Sequence, residues 1–76
     1  MKKCKRPSIE VGSKFRWWDR DLWHIINIFE DGGKELVVLK SWAKYKNRWV
    51  FKVDFKENLE WFFSRDLYDE VNSKEE

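Results

Sequence analysis

Cysteine, histidine and proline occur once each in this chain and glycine three times, and no apolar run approaches the about 18 residues of a membrane span. Each shortage closes a route. The lone Cys4, between Lys3 and Lys5, can form no internal disulfide and reads as an incidental tail thiol in a reducing compartment. Cys4 and His24 stand too far apart in sequence for a zinc pattern, and "DRD" (19–21) lacks the ligand count that calcium needs. "EDGG" (30–33) reads as a hairpin turn, so the glycines supply no phosphate-binding loop. "MKKCKRPS" leads into no signal-peptide core. The expectation is a cytoplasmic protein without metal or cofactor, not inserted in a membrane.

Catalytic parts are scarce too. Nucleophilic catalysis needs a nucleophile beside a base that a third group orients, and His24 has no serine or cysteine at a telling spacing. Asp19 and Asp21, two apart in a turn, read as turn formers before they read as an acid–base pair. No enzyme is expected.

Aromatic residues are what the chain has in excess: six Trp, six Phe and two Tyr among 76 residues. A chain this short makes one domain and buries only about 60% of the surface its unfolded form exposes. Large rings, at about 150–250 Å² buried apiece, are therefore its means of building a core. The net charge of +2 conceals blocks of +5 (1–18), −3 (19–35), +5 (36–56) and −5 (57–76). Such blocks make a dipolar surface that steers charged partners, while the overall balance is too mild for a dedicated duplex-DNA binder.

Residues 1–8 read as a flexible basic arm, 9–71 as one small domain and 72–76 as an acidic tail. Within the domain, "KFRWW", "LWHIINIF", "KELVVLKSWA" and "RWVFKVDF" are strand-like runs separated by turn chemistry. In "ENLEWFFSRDLYDEV", Leu59, Phe62, Phe63, Leu67 and Val71 recur at helical spacing, with Asn58 as a candidate N-cap. A short helix over 57–65 and an edge strand over 67–71 follow. The fold class is mainly β (α+β). It is a small, strongly bent antiparallel β-meander or SH3-like barrel of four to five strands with one short C-terminal helix.

Register decides which side chains face inward, because they alternate with period two. A three-residue Tyr45-Lys46-Asn47 loop sets Ala43 against Trp49, Ser41 against Phe51 and Leu39 against Val53, small against large. An Asp31-Gly32-Gly33 loop sets Leu39 against Ile25. The inner face then holds Trp23, Ile25, Phe29, Val37, Leu39, Trp49, Phe51, Val53 and Phe55. The outer face holds Leu22, His24, Ile26, Ile28, Leu36, Val38, Lys40, Trp42, Val50 and Lys52, which is apolar for a solvated surface. The helix is expected to cover the Ile26/Ile28/Leu36/Val38 end of it.

The other end stays open. It nominates a binding set of His24, Lys40, Trp42, Lys44, Tyr45, Lys46, Arg48 and Lys52, with Trp49 in the core and Trp18 as a second anchor. Trp, Tyr and Arg inside a lysine rim resemble an interface centre in composition. The expected function is a small non-catalytic binding module, such as an inhibitor or adaptor of the kind phages and mobile elements carry. It would dock on a larger protein, such as one that handles nucleic acid. The alternative is a single-stranded nucleic-acid binder using the same lysines and rings, and homodimerisation through the apolar outer face is compatible with either.

Overall fold

A computed structural model of the chain describes residues 5–73. The expectations for Cys4 and for the end of the tail fall outside them. Four strands, β1 (Lys14–Arg16), β2 (Leu22–Asp31), β3 (Lys34–Ala43) and β4 (Arg48–Phe55), form an antiparallel meander in sequence order. Two short helices follow, α1 (Lys56–Phe63) and α2 (Asp66–Asn72), making a small α+β domain. No described helix is long and apolar enough to cross a membrane.

The sheet does not close, so the SH3-like barrel is corrected to an open sheet with β1 and β4 at its edges. Closure would need a fifth strand, and the chain after β4 is helical instead. The helix expected over 57–65 is α1, while the edge strand expected over 67–71 is α2. Ser64 and the extended Arg65 (φ −101°, ψ 153°) separate them. Asn58 is not the N-cap of α1; it donates from Nδ2 to Asp54 Oδ1 at 2.7 Å, an atom that also accepts the Phe55 N–H at 2.7 Å.

Both helices lie on one side of the sheet. Leu59, Phe62 and Phe63 of α1 and Tyr68 of α2 join Phe15, Trp17, Trp23, Ile25, Val37 and Leu39 in one buried cluster. Phe15 meets Phe63 edge-on at 5.0 Å and Trp17 meets Trp23 edge-on at 6.3 Å. Asp19 accepts from the Asp21 N–H at 3.0 Å and the Trp23 Nε1–H at 3.2 Å, so the first "DRD" acid shapes its turn and fixes a core ring.

The ends of the domain are tied in. Arg6, placed by sequence in a flexible arm, pairs through Nη1 with the buried Asp69. It also donates from Nε to the Phe63 carbonyl at 2.6 Å and lies 4.6 Å from the Tyr68 ring centre. Asn72, placed in the tail, ends α2. Its amide accepts from the Arg16 N–H at 2.8 Å and donates to the Arg16 carbonyl at 3.0 Å, acting as a neighbour strand for β1.

Registers differ between the two long hairpins. Gly32 (φ 62°) and Gly33 (φ 80°) make a two-residue turn with Asp31 opposite Lys34, as two left-handed positions demand. A bulge between Ile25 and Asn27 then shifts the ladder by one, so Ile25 does face Leu39. Beyond the bulge the faces exchange: Ile28 packs on the core and Phe29 turns outward, the reverse of the expectation.

The β3–β4 loop has four residues, Lys44 to Asn47, with Asn47 left-handed (φ 55°) and Ala43 opposite Arg48. That is one residue longer than expected, and it inverts β4. Trp42 faces Trp49, Lys40 faces Phe51, Val38 faces Val53 and Leu36 faces Phe55. Trp49 is therefore not core; it is 39% exposed, and Phe51 is 65% exposed. The core cannot hold that row, because the α1 rings already fill the space above Val37 and Leu39.

Candidate functional site

The helix-free face is the candidate site. Its side chains stand in four rows across the strands. Lys14, His24, Lys40 and Phe51 form one row, and Arg16, Leu22, Trp42 and Trp49 flank it toward the Tyr45 loop. On the other side come Asn27, Val38 and Val53, then Phe29, Leu36 and Phe55. The α1 and α2 rings pack on the opposite face, so the helix expected to cover Leu36 and Val38 leaves them uncovered.

The two halves differ in chemistry. Toward the Gly32-Gly33 turn the rows are aliphatic and phenyl. Toward the Tyr45 loop they are cationic and aromatic. Trp42 and Trp49 meet edge-on at 5.3 Å, His24 is edge-on to Trp49 at 5.7 Å, and the Lys40 ammonium lies 4.2 Å from the Trp49 ring centre. Partial desolvation, then Lys14 and Lys40, hold the His24 pKa below its ordinary value. His24 is thus a neutral imidazole at pH 7, with one donor and one acceptor to offer. A concavity of about 460 Å³ opens beside it, lined by Arg16, Asp21, His24, Trp42, Lys44 and Tyr45 among others.

Of the residues nominated from sequence, His24, Lys40 and Trp42 stand together on this face. Lys44, Tyr45 and Lys46 occupy the adjoining loop, with Tyr45 86% exposed and the Lys46 ammonium 5.5 Å from its ring. Arg48 and Lys52 are separated from them. Both belong to the helix-side row of β4, and the Lys52 ammonium lies 4.6 Å from the Trp17 ring centre. Trp18, the suggested second anchor, stacks on Trp61 at 5.9 Å on the helix side.

Sequence reasoning missed Trp49, Phe51, Val53, Phe55 and Phe29 as members of the open face. The signal lay in β4 itself, which alternates between an apolar row and the row Arg48, Val50, Lys52, Asp54. Only the direction of that alternation was misread. Comparison with known proteins gave no match: no family model, no curated protein and no solved structure matches this chain.

Proposed function

We propose that this protein is a non-catalytic binding module that docks its open sheet face onto a larger protein, in the manner of an inhibitor or adaptor. The observation that carries the reading is the row Trp49, Phe51, Val53, Phe55 on the helix-free side, beside Trp42, Phe29 and Leu36. Monomeric domains seldom leave a contiguous apolar patch of that extent in water, and such patches mark interaction surfaces. The rim suits the same use. Lys14, Arg16, Lys40, Lys44 and Lys46 surround the tryptophan pair and would meet an acidic margin on the partner.

Single-stranded nucleic acid is the second reading, supported by those cations lying beside Trp42, Trp49 and Tyr45. Two features weigh against it. Base stacking needs a free ring face, whereas Lys40 lies over Trp49 and Trp42 meets Trp49 edge-on. The other half of the face, Val38, Val53, Leu36 and Phe55, offers nothing to a phosphate backbone.

Capture from nuclease-treated lysate by wild type and by Trp42→Ala tests the reading. A protein partner should survive nuclease and bind Trp42→Ala more weakly by about 2 kcal/mol or more, the loss typical of an interface centre. Trp61→Ala, on the helix side, should bind as wild type does. Recovery of nucleic acid alone, with affinity falling steeply as salt rises, would overturn the docking reading in favour of the second.

A further inference from the structure

The two edges of the sheet are treated differently. β1 is three residues long, and the Asn72 amide occupies the outward backbone N–H and C=O of Arg16. β4 is eight residues long, and among the described residues nothing hydrogen-bonds to the free edge of Arg48–Asp54. A long edge strand with an apolar row is a template for another strand, and proteins that remain monomeric usually guard such an edge with charge. Arg48 and Asp54 stand near its ends, and Lys52 is the charge nearest its middle. The Lys52 ammonium is instead drawn over the Trp17 ring, 4.6 Å from the centre, on the helix side.

The β4 sequence is self-complementary when read against itself. In an antiparallel pair, directly opposite side chains share a face, so a second β4 keeps its apolar row outward only in registers that set odd positions against odd. Centring the pair on Phe51 sets Phe51 against its own copy, Trp49 against Val53, Val50 against Lys52 and Arg48 against Asp54. Every position from Arg48 to Asp54 is then paired, with opposite charges at both ends and an aromatic beside a β-branched residue on the open face. The neighbouring registers fail on charge. Centring on Lys52 opposes the two copies of Lys52, and centring on Val50 opposes Arg48 to Lys52. Asp54 is suited to receive Arg48: its Oδ1 holds the start of α1, and its Oδ2 has no hydrogen bond among the described residues.

We propose that two copies of this chain pair β4 to β4 across a two-fold axis at Phe51, joining their sheets into one eight-stranded sheet. The contact is isologous and closes on itself, so it makes a dimer and not a fibre. Both open faces remain on the same side of the joined sheet and run together through Trp49, Phe51 and Val53. The inference stands apart from the docking reading, since an edge contact leaves the faces free and a monomer could still dock through its face.

Sedimentation of the full chain, with cysteine cross-linking in a Cys4→Ser background, tests it. The wild type should sediment at twice the mass of one chain. Phe51→Cys should oxidise to a covalent dimer, because facing residues of an antiparallel pair lie within the about 4.4–6.8 Å of Cα separation a disulfide spans. Val38→Cys, in the middle of the open face, should not. Arg48→Asp places like charge at both ends and should weaken the dimer by about tenfold or more, and Arg48 is exposed, so the variant should fold. A monomer at the highest soluble concentration would overturn the proposal. So would a dimer that cross-links through Val38→Cys and not Phe51→Cys, which is face-to-face packing, or one indifferent to Arg48→Asp.

Discussion

The two faces of this sheet are built from the same kinds of residue and come to opposite ends. On the helix side, Phe15, Trp17, Trp23, Ile25, Val37 and Leu39 meet Leu59, Phe62, Phe63 and Tyr68, and each is nearly or wholly removed from water. On the open side, Trp42, Trp49, Phe51, Val53 and Phe55 remain 39–65% exposed. Hydrophobicity alone does not separate them. What separates them is that two short helices supply apolar surface for one face only, and the β3 row on that face is Val37, Leu39, Ser41 and Ala43, with Ser41 and Ala43 small where the open face has Lys40 and Trp42. The lesson is that an apolar row states a need for cover without saying what provides it.

Each face can be challenged separately. The helix side is clamped by Arg6, which joins the buried Asp69, the Phe63 carbonyl and the Tyr68 ring. Arg6→Ala removes the ion pair to Asp69 together with the Phe63 and Tyr68 contacts and should cost about 3 kcal/mol in chemical denaturation, with binding through the open face unchanged. An equal loss of binding would mean that the two faces are not independent. A smaller effect is expected on acidification. His24 has a depressed pKa in the folded chain, so its contribution to stability is complete above the ordinary histidine value near 6.5 and is lost as pH falls through the folded value. Stability should decline in that window, and His24→Gln should flatten the decline. A slope unchanged in His24→Gln would contradict a depressed His24 pKa.

Much of the fold was legible because local chemistry specified it. The strand runs, the Gly32-Gly33 reversal and the helix after β4 each followed from turn residues and periodicity. The Ile25–Leu39 pairing was anticipated from a loop one residue too long, and the bulge at Ile26 supplied the compensating residue. A bulge has no sequence signature here, which is why Ile28 and Phe29 were set on the wrong faces. The second helix was hidden because its turn is short and Arg65 breaks the periodic run.

The site was half legible. His24, Lys40 and Trp42 lie on β2 and β3, whose mutual register near the Ile25–Leu39 pair was read correctly. Trp49, Arg48 and Lys52 lie on β4, where a loop of four residues in place of three inverted every assignment. Alternation shows that a strand has two faces; the direction it points is set by the volume already committed to the core.

Equilibrium unfolding of Trp49→Ala, set beside Trp23→Ala, tests the central claim that the apolar row of β4 faces outward. Trp23 is 6% exposed and its truncation should cost about 3–5 kcal/mol. Trp49 contributes partial burial, the Lys40 contact and two edge-on rings, so its loss should cost no more than about 1–2 kcal/mol while the chain stays folded. Equal and large losses in the two variants would place Trp49 in the core and contradict the open face.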